Sequence, residues 1–291
     1  MNQRLLNRYE EITYGALKGP CERNGARVFP KVRLADVFEI NQSGIPKEQF
    51  SYALRSHFDF LVADADFQPL FSVEFDGPLH KSSAEQRRRD TLKNTLCERF
   101  SHGLLRVNAN YLSKKYRGLD LLTYFVEAWF LADAFGQAQK KGLVPYDEDF
   151  DMAFILRDET RPGTKWPYWI SLDVQLAFQK LHKQKVIGQM VPSYWIGVDN
   201  EGTYRCLSWV VFDAKSVLSI TIGMRAQRFW AVNLCDLVEM LSFFELYEKL
   251  QETLKTGRGP LQDRTYFQEV TLLQFKSKYK AAGSGSCSAT V

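Results

Sequence analysis

The sequence predicts an α/β domain followed by a second part of α+β character. Two apolar stretches, 56–63 and 70–76, have the length and saturation of buried strands. The segment 84–100 then repeats apolar residues at helical spacing, and 104–107 returns to an apolar strand. Strand, helix and strand in that order form a crossover, normally right-handed, whose two strands run parallel.

Taken in order, residues 4–18 read as an amphipathic helix carrying Leu5, Leu6, Tyr9 and Ile12 beside Glu10 and Glu11, with Gly19-Pro20 expected to stop it. Arg27–Ile40 alternates in part (Val28, Phe29, Val32, Leu34, Val37), as a strand with an irregular end does. Asn41–Gln49, with Gly44 and Pro46, reads as loop. Ser56–Ala63 is a strand, Asp64-Ala65-Asp66 with Pro69 a turn, and Leu70–Asp76 a strand of the sheet centre, broken by Gly77-Pro78. In the helix 84–100, Leu92, Leu96 and Phe100 form the core face. Gln86, Asp90, Lys93 and Cys97 form a neighbouring stripe, with Cys97 read as a packing cysteine. Leu119–Lys141 is a second long helix closed by Gly142.

The acidic run from Pro145 to Asp151 lacks the spacing of a calcium loop and reads as a solvated boundary. The expected organisation is therefore a domain at 1–145, an accessory α+β domain at 146–282, and a flexible Gly/Ser tail at 283–291. In the accessory domain, strands are expected at 166–172, 194–198, 204–212 and 217–222, and helices at 173–186 and 234–255. Asp199-Asn200-Glu201-Gly202 reads as a hairpin turn.

A hydrophobic content of 45% supports a packed core, yet no apolar run approaches membrane-spanning length. Met1–Arg8 lacks the apolar centre of a signal peptide. The five cysteines are scattered without Cys-x-x-Cys spacing, which points to a reduced cytoplasmic setting and away from zinc or a disulfide framework. Charge is patterned rather than large. From Lys81 to Gly118 there are ten Lys and Arg against three Asp and Glu; from Leu119 to Thr160, three against nine. A basic block of that kind steers a polyanion, with Arg87, Arg88, Arg89 and Lys93 as the phosphate-facing candidates or, for the arginines, the solvated face of a helix as the alternative.

The chemistry concentrates in Val73-Glu74-Phe75-Asp76-Gly77-Pro78-Leu79-His80 and in Asp59 on the preceding strand. Alternation puts Glu74 and Asp76 on one side of their strand and Val73 and Phe75 on the other. Carboxylates are costly to bury without a partner, so these three call for a hard divalent metal or for arginines. Asp59 and Glu74, on adjacent strands, suit Mg²⁺ or Mn²⁺, which takes few carboxylates and keeps several waters.

The pattern Asp59 … Glu74-Phe75-Asp76-Gly77-x-x-His80 … Gln86-x-x-x-Asp90-x-x-Lys93 … Leu104-Leu105-Arg106-Val107 resembles the PD-(D/E)XK nuclease superfamily, and within it the DUF2726 family, akin to DUF559 and the very-short-patch-repair endonucleases. The resemblance spans roughly residues 5–135. It implies a restriction-endonuclease-like core, a central mixed sheet flanked by helices, and metal-dependent hydrolysis of phosphodiester bonds, most simply in DNA. It makes Asp59 and Glu74 the metal ligands. The superfamily usually carries Lys two positions after the second acid, where this chain has Asp76; His80, Gln86 and Lys93 are the candidates for that lysine's part, and Asp76 or His80 for placing the attacking water. Glu10 or Glu11 on the first helix would add a carboxylate. His80 making a loop hydrogen bond, and Lys93 pairing with Asp90 or Glu98 along its own helix, are the structural alternatives.

Nothing in 150–291 resembles a known family. Trp166 in its loop-like setting is a candidate for stacking on a base, or a core residue like the other tryptophans. Two further functional classes follow. One is a catalytically inactive nuclease-fold module that binds nucleic acid. The other is a protein-interaction component of a phage-defence, repair or mobile-element system, using 146–282 or homodimer formation.

Overall fold

Chain contacts divide the protein into two units, and the first takes back a short piece of the second half: Gln227–Val232 belongs with the N-terminal unit. The computed structural model describes residues 4–77, 83–152, 168–257 and 259–286. It is an α/β protein, and among the described residues no helix is long and apolar enough to cross a membrane.

The first unit opens with α1 (Arg8–Arg23), which starts at a capping box. Asn7 Oδ1 accepts from the backbone N–H of Glu10, while Glu10 Oε2 accepts from that of Asn7. The helix does not stop at Gly19-Pro20 but runs on to Arg23. Pro20 removes one ladder donor, yet Leu17, Pro20 and Cys21 are all buried, and that packing outweighs the loss. Next come β1 (Arg27–Arg33), a single turn α2 (Leu34–Val37), and α3 (Lys47–Arg55). The last begins directly after Pro46, inside the stretch expected to be loop. Strands β2 (His57–Ala63) and β3 (Pro69–Phe75), helix α4 (Ala84–Arg99) and β4 (Gly103–Val107) follow.

The sheet order is β1-β2-β3-β4. Neighbours are antiparallel except β3 and β4, which are parallel with Glu74 opposite Arg106, so the sheet is mixed and the crossover is as expected. Even-numbered residues of β3 and β4 face α4: Ser72 meets His102, Leu104 packs with Leu96 and Cys97, and Glu74 meets Lys93. On the other face Phe71 packs on Trp129 of α6. Before that helix come α5 (Asn110–Ser113) and the two-residue strands β5 (Lys115–Tyr116) and β6 (Leu119–Asp120); α6 itself spans Leu121–Lys140.

The returning segment covers the free edge of β4. Leu104 N–H donates to Arg228 O at 2.9 Å, and the Gln227 amide pairs with both backbone groups of Arg106 at 2.9 and 3.0 Å. A side-chain amide thus does the work of a strand, satisfying donors that an open edge would leave bare. Phe229, 3% exposed, closes over Phe71 and Phe125.

His102, at the entry to β4, lies 2.8 Å from Ser72 Oγ and packs on Phe38 and Phe58. Burial pushes its pKa down to about 4. The folded protein holds the ring neutral while the unfolded chain protonates it near 6.5, so its contribution is whole above pH 6.5 and is lost as pH falls from there towards 4. Stability from urea denaturation should drop across that window, by about 3 kcal/mol more in wild type than in His102→Asn.

In the second unit, residues 168–171 form a turn and Leu172 opens α7 (Leu172–Lys183), where 166–172 was expected to be strand. Tyr168 and Ile170 are both buried, and that two-residue spacing imitates a strand. Strands β7 (Ser193–Val198), β8 (Thr203–Val211) and β9 (Ser216–Arg225) form an antiparallel meander, then α8 (Leu234–Thr256), β10 (Leu261–Asp263), α9 (Arg264–Tyr266), a π-helical turn at Phe267–Thr271, α10 (Leu272–Lys278) and β11 (Lys280–Gly285). Cys206 and Val210 of β8 face α8, whereas Leu207 and Val211 pack with Phe267 on the opposite face. Residues 283–285, expected in a flexible tail, belong to β11, which pairs with β7 and forms an edge of the sheet. Gly285 fits there because it lacks a Cβ, which would lie 2.6 Å from the Tyr194 ring.

Candidate functional site

The site forms where β2 and β3 stop pairing. Their ladder reaches Phe60 and Val73, leaving the next backbone donors without strand partners. Carboxylates fill those places. Asp59 Oδ2 accepts from Phe75 N–H at 3.0 Å, and Glu74 Oε1 accepts from Asp59 N–H at 3.2 Å. Each acid therefore clasps the other's strand, which fixes both at the carboxyl end of β3.

Two lysines meet these acids. Lys93 of α4 places Nζ 2.7 Å from Glu74 Oε1 and donates to His57 O at 2.8 Å, with both charged side chains buried. Burial pushes the Glu74 carboxyl upward; the Lys93 charge opposes that push and the Asp59 charge adds to it. Lys31 of β1 lies 2.7 Å from Asp59 Oδ1 and 2.8 Å from Glu10 Oε1. Burial opposes its charge, but bonds to the two carboxylates win and raise its pKa. Lys31 has φ +56°, in the left-handed region and inside a strand, and drops out of the β1–β2 register between Pro30 and Val32. Glu10 is set in place by its capping-box bond and by Tyr9, whose ring stacks 5.4 Å from Phe75.

Asp76 has a different partner from the one expected of a water-positioning group. Arg106, buried on β4, has Nη1 3.2 Å from both Asp76 Oδ1 and Asp90 Oδ1 and Nη2 3.2 Å from Asn94 Oδ1. The two aspartates hold the guanidinium charged against its desolvation. This clamp ties β3, β4 and α4 together beside Glu74, and it answers to the arginine-paired alternative for Asp76.

The structure thus gathers Glu10, Asp59, Glu74 and Lys93 and adds Lys31, with Asp76 next to them on Arg106. Glu11 is exposed, 3.8 Å from Arg4, and takes no part. Gln86 bonds Asp90 at 3.4 Å. His80 lies outside the described residues, as does Trp166. Arg87, Arg88 and Arg89 are exposed on α4; Arg88 pairs with Glu48 at 2.7 Å and Arg89 with Glu85 at 3.1 Å. A groove of about 470 Å³ is lined by Glu48, Tyr52, Arg55, Glu85, Arg88 and Arg89 among others, three arginines against two glutamates. Burial pushes the Tyr52 hydroxyl pKa upward, and the Lys93 charge opposes that push.

Among the described residues no group of three His, Cys, Asp or Glu is drawn together as a ready metal cage. The donors are hard oxygens at the strand end, paired with the Lys31 and Lys93 ammonium groups. Asp59 and Glu74, with Glu10 behind Lys31, are the residues whose chemistry suits a divalent ion. Reasoning from sequence missed Lys31 and the clamp role of Arg106. Lys31 follows Pro30, which gives no sign of a positive φ, whereas Arg106 interrupts an otherwise apolar strand and was a usable signal.

No curated protein and no solved structure matches the chain. Its residues 2–119, fewer than half of the chain but including every residue of the cluster, are similar to the family DUF2726, described as a protein of unknown function.

Proposed function

We propose that the protein is a metal-dependent nuclease of the PD-(D/E)XK type that hydrolyses phosphodiester bonds, with DNA as the substrate. The observation that carries this is the convergence of Asp59 and Glu74 at the end of β3 with the Lys93 ammonium 2.7 Å from Glu74. The mixed four-stranded sheet, with α4 crossing between the parallel strands β3 and β4, supports this reading. Asp59 and Glu74 would hold Mg²⁺ or Mn²⁺; such an ion, when bound, offsets charge building on the phosphate and helps acidify the attacking water. Lys93 takes the part of the absent Glu-x-Lys lysine: it reaches the same acid from the helix rather than from the strand. Arg55, Arg88 and Arg89 line the groove that would take the polyanion, where each phosphate contact adds salt-dependent affinity.

A second reading, a binding module that does not cut, is favoured by one observation: both acids are already neutralised by lysines. A cleavage assay on supercoiled plasmid and end-labelled single strands separates the two. The nuclease reading expects nicking with Mg²⁺ or Mn²⁺, none in EDTA, and a loss of about a hundredfold or more for Asp59→Asn. Salt-sensitive binding without cleavage under either metal would favour the module.

A further inference from the structure

Lys31 bridges two carboxylates that come from different elements, Glu10 on α1 and Asp59 on β2, at 2.8 and 2.7 Å. Both acids are largely covered, whereas a third of the lysine side chain remains open to solvent. The ammonium supplies the positive charge that these acids require, and it does so from a backbone conformation that a lysine pays to adopt. Glu10 has one oxygen committed to the helix cap and only the other turned to Lys31. Without Lys31, then, a negatively charged pocket of hard oxygens would face water beside Glu74.

We propose that Lys31 is the resident cation of this pocket, competing with a divalent ion for the Glu10 and Asp59 carboxylates and so setting the metal concentration at which the site fills. This rests on the metal-dependent reading of the site. Lys31 is a positioning residue here: it holds the Glu10 and Asp59 carboxylates together until a doubly charged ion replaces it. The exchange needs no rearrangement of the sheet, because the ammonium is on a flexible four-carbon stem and its open side leads to solvent.

The test is Mn²⁺ titration of the full chain by calorimetry, comparing wild type with Lys31→Met and Lys31→Gly. Methionine keeps most of the length of the side chain; glycine also relieves the positive φ, and each variant is shown to be folded by circular dichroism before titration. Both variants should bind Mn²⁺ about tenfold tighter than wild type, the scale on which a neighbouring unit charge acts at such distances. The gain should vanish when Asp59→Asn is added. Equal or weaker binding by both variants, with wild type still binding, would overturn the role of Lys31 and leave the metal reading standing. A gain that persists in the Asp59→Asn background would also overturn it. If neither wild type nor the variants bind Mn²⁺, the metal reading falls and the role of Lys31 falls with it.

Discussion

Lys93→Met and Glu74→Gln should each destabilise the protein by about 3–5 kcal/mol, while the double variant should cost far less than their sum. The pair is buried, at 7% and 9% exposure, and its separation is 2.7 Å. Removing one partner strands the other's charge in a desolvated place, which is the expensive half of any buried ion pair. Removing both leaves a neutral amide and a thioether of similar volume, for which a protein interior has ready accommodation. Lys93 also gives a bond to His57 O and lies 5.5 Å over the Phe58 ring, so some loss remains in the double variant. Urea denaturation of the four proteins closes the cycle. Additive losses would mean that the two side chains are stabilised independently, against the geometry described.

Phe229→Ala should cost about 3–5 kcal/mol and should act on the N-terminal unit, although the residue lies more than a hundred positions beyond its sheet. The ring is 3% exposed, 5.2 Å from Phe71 and 6.0 Å from Phe125. It is also anchored by neighbours that pair with the β4 edge, so the surroundings cannot collapse into the space it vacates. Hydrogen exchange should show the loosening in β3, β4 and α6 ahead of β7–β9. Loosening confined to the second unit would contradict the placement of this segment. It follows that a fragment ending near residue 145 lacks the cover of its own edge strand and exposes Leu104 and Arg106 backbone groups to pairing with other chains.

How far the sequence could be read depended on whether a feature was local. Asp59 and Glu74 were legible because strand alternation and burial are local rules, and acids in apolar strands break them visibly. The crossover 70–107 was legible for the same reason. Lys31 was not, because its reach depends on a single left-handed residue that no periodicity records. The continuation of α1 past Pro20 depends on burial of Leu17 and Cys21 by the rest of the unit, and the helix at Lys47–Arg55 lay behind a Gly and a Pro that read as loop. Gln227 and Phe229 were hidden by distance along the chain: their partners, Arg106 and Phe71, belong to strands whose pattern is complete without them. Asp76 stood out as the departure from the expected lysine, and the fold pairs it with Arg106, which it shares with Asp90.

The most direct measurement is plasmid cleavage by wild type and by the Glu74→Gln/Lys93→Met double variant, each shown to be folded, with Mg²⁺, Mn²⁺ or EDTA. The account predicts metal-dependent nicking by wild type, abolished by EDTA and absent in the folded double variant. Cleavage by the double variant at the wild-type rate would contradict it, and so would a folded wild type that cuts no nucleic acid with either metal.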